Sequence, residues 1–75
     1  MQRYFFDYVG QGKPEYDYIG QVLSTPQMAY EHAELIALDL AVMSEDWIGW
    51  LISVRTEMGR EIFSLPVESS CLAAA

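Results

Sequence analysis

Cysteine is nearly absent. Cys71 stands alone among 75 residues, so no internal disulfide closes the fold. It falls in a Ser/Ala-rich tail, residues 69–75, with no base or metal ligand near it in sequence. A solvent-facing thiol is the expectation there. Basic residues are scarce too. Four Lys and Arg stand against eleven Asp and Glu, for a net charge of −7. Phosphate contacts need clustered cations, and Arg3, Lys13, Arg55 and Arg60 form no run. Nucleic acid and anionic membrane surfaces are therefore poor partners. No apolar run reaches the ~18 residues that span a bilayer. The opening Met1-Gln2-Arg3-Tyr4 leads straight into strand-like residues without an apolar leader, so the expected setting is the cytoplasm.

The missing chemistry is equally informative. His32 is the only histidine, and a metal centre wants about three or four ligands at helix or loop spacing. Ser44, Ser53 and Ser64 have no histidine placed to activate them. The run Gly10-Gln11-Gly12-Lys13-Pro14 is a turn, not a phosphate loop, because no Gly-Lys-Ser/Thr ending follows. Asp7, Asp17, Glu31 and Glu34 include candidates for a close carboxylate pair, yet most such groups form a solvated face. The rings of Tyr4, Phe5, Phe6 and Tyr8 lack the basic residues of an RNA-binding sheet. The expectation is a non-enzyme with no cofactor and no metal.

What is present is a core. Hydrophobic residues make up 52% and aromatic residues 13% of the chain, too many for a disordered segment. The length allows one domain, expected over residues 1–68, with the tail beyond it. Arg3–Val9 reads as a strand rich in Tyr, Phe and Val. Its alternation puts Tyr4, Phe6 and Tyr8 on one face and Arg3, Phe5, Asp7 and Val9 on the other. Both faces carry rings, so this strand is either central and covered twice or turned toward a partner. Tyr16–Leu23 reads as a weaker second strand interrupted by Gly20, pairing with the first as a hairpin.

A helix follows. Thr25 is the N-cap and Pro26 the first helical residue. The end lies between Met43 and Trp47. Gly49 suits the longer version as a C′ residue, whereas Glu45 and Asp46 at the negative pole of the helix dipole favour the shorter one. Ala29, Ala33, Ile36, Leu40 and Met43 form the core stripe. Ala29, Ala33, Ala37 and Ala41 add a row of small side chains that permits close packing. A second stripe, Met28, Leu35, Leu38 and Val42, exceeds what a domain with one helix needs. It is either covered by the chain's own loops and tail or is a contact surface, and Met28, Leu35, Leu38 and Val42 are the candidate interface.

Trp50–Thr56 and Arg60–Val67 form the clearest hairpin, closed by Glu57-Met58-Gly59. Trp50, Ile52 and Val54 share a face with Phe63, Leu65 and Val67 if Val54 opposes Phe63 and Thr56 opposes Glu61. That register implies a four-residue loop or a tight turn at Met58-Gly59. Pro66 marks an edge strand, or a position where no ladder donor is needed. Trp47 and Trp50 flank the junction between helix and hairpin; Trp50 falls on the hairpin's apolar face and reads as core, and Trp47 lies on the core side if the helix continues that far. The fold class is α+β, in ββαββ order, with a mostly antiparallel four-stranded sheet and one helix on one face.

Arg3-Tyr4-Phe5-Phe6-Asp7, Asp17 with Gly20 and Leu23, the alanine-rich acidic helix, Gly59-Arg60 and Leu65-Pro66 together resemble a family of small alphaproteobacterial proteins. That family is defined as a domain of unknown function. The resemblance spans residues 3–67, with the opening RYFFD its most specific part. It implies a small cytoplasmic α+β domain and carries over no site residues. In outline the chain is also similar to the N-terminal domain of HicB-type antitoxins, which bind a small basic toxin. Two functions follow as expectations. The first is a protein-interaction module that self-associates as a homo-oligomer or docks to a protein partner. The second is an antitoxin-like inhibitor of a small basic protein. A small-molecule sensor or minor enzyme is a third class, which a buried carboxylate pair beside a pocket would favour.

Overall fold

Residues 1–68 are described in a computed structural model of the chain. Cys71 and the rest of the tail lie outside the described residues. The elements follow the expected order: β1 (Gln2–Val9), β2 (Gln21–Leu23), α1 (Pro26–Met43), β3 (Leu51–Thr56) and β4 (Glu61–Pro66). A single turn of 3₁₀ helix, Glu45–Trp47, joins α1 to the second hairpin. The four strands form one antiparallel sheet in the order β2-β1-β3-β4. The class is therefore α+β, as the pattern of apolar residues requires.

Register places the rings. Phe6 lies opposite Val54, which lies opposite Phe63, and Tyr8, Ile52 and Leu65 form the next row. These rows, with Tyr4 and Val67, face α1 and make the core. The opposite face carries Phe5 beside Arg55, and Asp7 beside Ser53 and Ser64. β1 is a central strand, which explains its two-sided apolar character.

The helix approaches through its small side chains. Ala29 and Ala33 are fully buried, and Leu40 and Ala41 nearly so. Met43, expected in the core, is instead exposed. At about 100° per residue it lies ~60° round the helix from Leu40, on the side away from Ala41, so it misses the sheet. The N-terminus is as expected: the Thr25 hydroxyl accepts a hydrogen bond from the Met28 N–H. The C-terminus takes the shorter version. Ser44 leaves the helical region, its N–H still donating to the Leu40 carbonyl, while its hydroxyl accepts from the Asp46 N–H. One serine thus ends α1 and starts the 3₁₀ turn, where Glu45 and Asp46 occupy a favourable first turn. Trp47 then packs edge-on against both Tyr8 and Trp50.

Two expectations need correction. First, the strand expected over Tyr16–Leu23 shrinks to Gln21–Leu23, with one isolated bridge between Tyr8 and Glu15. Residues 16–20 leave the ladder because the Asp17 side chain takes over its hydrogen bonds. Second, Glu61 pairs with Arg55, not with Thr56. The hairpin closes with a three-residue connection in which Gly59 takes φ 83°, the Thr56 N–H bonds the Arg60 carbonyl and the Gly59 N–H bonds the Thr56 carbonyl. A loop of that length alone would put the two apolar sets on opposite faces. A bulge at Ile62 inserts one extra residue between Glu61 and Phe63 and restores the match of Val54 with Phe63.

β4 is an edge strand, as Pro66 implies. The Val67 N–H points inward and donates to the Trp50 carbonyl. By strand alternation the preceding Pro66 nitrogen faces the free edge, where its missing proton costs no ladder bond. Among the described residues no helix is long and apolar enough to cross a membrane.

The two sides of α1 differ sharply in tolerance. Ala33→Leu forces a large side chain between helix and sheet and is expected to destabilise the domain by roughly 1–3 kcal/mol. Leu35→Gln, on the outer side, is expected to stay within about 0.5 kcal/mol. Urea unfolding followed by circular dichroism checks both, and equal losses would contradict this packing.

Candidate functional site

Two arrangements of side chains stand out: a polar network on the face of the sheet away from α1, and the outer face of α1 itself.

The network is built on β1 and β3. Asp7 is almost fully buried, at 3% exposure, although it lies on the face without a helix. The Asp17 main chain and the Arg55 guanidinium close over it. Arg55 donates from Nε to one Asp7 oxygen at 2.6 Å and from Nη2 to the other at 3.3 Å. The Asp17 N–H donates to Asp7 Oδ1 at 2.9 Å, and Arg55 Nη2 also reaches the Asp17 carbonyl at 3.0 Å. The guanidinium stacks over the Phe5 ring, 4.7 Å from its centroid. Arg3 closes the outer end through a 2.7 Å bond to the Ile19 carbonyl.

Asp17 stands in for a strand. Its Oδ2 accepts from the Phe6 N–H on the β1 edge at 3.1 Å, and its Oδ1 accepts from the N–H groups of Ile19 and Gly20, each at 3.0 Å. Gly20 takes φ 74°, and a Cβ there would meet the Tyr4 carbonyl oxygen at 2.8 Å. Only glycine fits both demands. Burial pushes the Asp17 carboxyl up, but the Gly20, Ile19 and Phe6 N–H groups and the Arg55 charge outweigh it, and the net direction is down. Burial, with the Asp17 and Glu15 carboxylates nearby, pushes the Tyr8 hydroxyl up. Hydrogen bonding to Asp7 outweighs burial and holds Arg55 firmly protonated.

Of the four carboxylates weighed from sequence, the fold brings Asp7 and Asp17 together. Glu31 and Glu34 remain exposed on α1. Asp7 is held by Arg55 and Asp17 by backbone donors, so both hold the loop in place. The Ser53 hydroxyl donates to Glu61 at 2.6 Å and Ser44 serves as a cap, which gives each a structural partner. His32 sits at the boundary, half-buried, its ring edge-on to Phe6 at 4.7 Å. It lines a shallow cleft of about 350 Å³ shared with Tyr8, Glu15, Tyr16 and Asp17. Among the described residues no group of three metal-ligating side chains converges.

The outer face of α1 is the second arrangement. Met28 and Leu38 are each 43% exposed, Leu35 61% and Val42 68%. At about 100° per residue these four centre almost opposite Leu40 and Ala33, the middle of the buried arc. The helix is thus apolar on both sides, a pattern that belongs to a helix covered twice. No described loop covers the outer side. Glu31, Glu34 and Asp39 lie among or beside the four, and Gln27 bonds Glu31 at 3.3 Å. Leu38 also borders a groove of about 370 Å³ between α1 and the free edge of β4, lined by Tyr30, Ala37, Leu65 and Pro66. The exposed stripe was visible as a seven-residue recurrence. The Asp7–Arg55–Asp17 network was not, because its members are 48 and 10 residues apart.

A sequence profile described as Domain of unknown function (DUF6894) matches residues 3–68. The chain belongs to this family. Comparison with curated proteins finds no match, and comparison with solved structures finds none either. Arg3, Phe5, Asp7, Asp17 and Gly20, which are among the residues that carry the resemblance, are members of the network that pins residues 17–20.

The Asp17 arrangement has a pH signature. A carboxylate with a depressed folded-state pKa stabilises the fold fully above its unfolded value of 3.8, and this contribution is lost as pH falls through the lower folded value. Asp17→Asn aims an amide N–H at the Phe6 N–H or gives up the Ile19 and Gly20 bonds. It is expected to cost roughly 1–3 kcal/mol at neutral pH. The gap between wild type and variant should narrow below pH 3.8, as denaturant titrations across the acid range can show. A gap that is constant with pH would mean that the Asp17 charge plays no part.

Proposed function

We propose that this protein is a non-catalytic protein-interaction module of the bacterial cytoplasm, and that it docks through the outer face of α1. One observation carries this reading: Met28, Leu35, Leu38 and Val42 are exposed together on the side of the helix opposite the core. A domain of 75 residues has little core to draw on, and leaving four large apolar side chains in water gives no stability in return. Covering them with a second protein surface does. The occupant is a second copy, making a homo-oligomer, or a different protein. Of the two carboxylates that line the cleft, Asp17 is taken up in holding the chain, which favours binding over catalysis.

A second reading, an antitoxin-like inhibitor of a small basic protein, is favoured by the net charge of −7 and by a helix with no Lys or Arg. A short basic reading frame adjacent to the gene would support it, and deletion without a growth defect in the absence of such a neighbour would count against it.

Leu35→Glu and Val42→Glu test the main reading. Each should leave the circular dichroism spectrum and melting point of the domain essentially unchanged, because neither side chain touches the core. Each should abolish the complex that the tagged wild-type protein forms in its native host, whether light scattering assigns that complex to two copies or to a partner. Retention of wild-type mass and partners by both variants would remove α1 from the interface.

A further inference from the structure

We propose that the occupant of the outer face of α1 is a basic amphipathic helix of another protein, an inference that rests on the interaction reading above and names its partner by chemistry. Spacing supplies the first argument. Met28, Leu35 and Val42 recur every seven residues, and Leu38 falls three after Leu35, the two seam positions of a helix that packs along another helix. The seam from Met28 to Val42 is about 21 Å long, which matches roughly four turns of a partner helix lying against it.

Charge supplies the second. The seam position equivalent to Leu38 one heptad earlier is Glu31, an acid in the middle of an apolar stripe. Glu34 and Asp39 flank it, and the next turn adds Glu45 and Asp46. From Pro26 to Trp47 there is no Lys or Arg. A second copy of the chain answers this pattern badly. In a parallel pair of helices, Glu31 meets its own counterpart at the seam. In an antiparallel pair centred on Leu35, Glu31 falls opposite Asp39 of the second copy. An antiparallel pair centred between Leu35 and Leu38 instead sets Glu31 against Val42. Each arrangement buries the Glu31 carboxylate against another carboxylate or an apolar side chain with no cation to pair it, which is costly. Lys or Arg at the matching positions of a different helix converts the same geometry into charge-assisted pairs.

The protein's own cations do not relieve this. Arg55 is committed to Asp7, Arg3 to the Ile19 carbonyl, and Lys13 and Arg60 lie in the turns before β2 and β4. The groove beside Leu38 extends the apolar surface toward Leu65 and Pro66 and gives the partner helix a second row of contacts.

The test uses the full chain and two synthetic peptides of about 15 residues, each with Leu at the seam positions. One carries Lys at its flanking positions and the other carries Glu. Amide spectra of isotope-labelled protein are followed by NMR during titration. The Leu/Lys peptide is expected to shift resonances of α1 and the β4 edge. Its affinity should fall at least tenfold in the Leu35→Gln/Val42→Gln double variant, and at least tenfold in Glu31→Gln/Glu34→Gln/Asp39→Asn, with both variants folded by the same spectra. The Leu/Glu peptide should leave α1 unshifted. Equal binding of both peptides, or shifts centred away from α1, overturns the inference. A concentration-dependent dimer that masks Leu35 also overturns it, with a second copy as the occupant, while sparing the interaction reading. A monomer whose α1 responds to neither peptide overturns both.

Discussion

A single carboxylate takes the place of a missing strand. β2 pairs with only three residues of β1, Gln2 to Tyr4, and Glu15 bridges Tyr8 further along, which would leave the Phe6 N–H between them without a strand partner. Asp17 prevents this by accepting the Phe6 N–H while it turns its own chain through the Ile19 and Gly20 N–H groups. Its backbone is then tied to Asp7, and through Asp7 to Arg55 on the far side of the sheet. Without that anchor residues 17–20 have no reason to stay against β1, and Asp7 would lose the Asp17 N–H that helps to bury it. The segment thus closes the β1 edge where β2 stops, and it does so with polar contacts.

The difference between the two faces of the sheet explains what was legible in the sequence. Apolar periodicity reports burial against a regular surface, so the α1 face of the sheet could be read directly: Tyr4, Phe6, Ile52, Val54 and Val67 fall where alternation puts them, and all are buried. The other face is held by an ion pair between residues 48 apart and by a side chain that imitates backbone. Neither leaves a periodic trace. Tyr16–Leu23 therefore looked like a strand, since its composition is strand-like and only the Asp17 side chain diverts it. The bulge at Ile62 was hidden for a related reason. Alternation on each strand was correct, but the extra residue lies between them, where no pattern records it.

The candidate interface was legible for the opposite reason. A stripe that repeats every seven residues is visible whether or not the fold buries it. What the structure adds is its position, diametrically outside the alanine row that seats α1 on the sheet. The alanines matter here as well, because they leave the helix no room to roll and bring the outer stripe inward. Met43 shows how fine the balance is: about 60° beyond Leu40, it already falls outside the sheet.

The two sheet edges carry a consequence for stoichiometry. At one edge Pro66 offers no proton and the strand is six residues long; at the other β2 is only three, and the loop bonded to Asp17 closes the remainder. Neither edge presents a long row of open ladder groups, so strand-to-strand growth has little to build on. Under the docking proposed above, recognition falls to the outer face of α1. A protein that docks through that face alone would have a valence of one: it would cap or occupy a partner rather than bridge two partners or seed a filament.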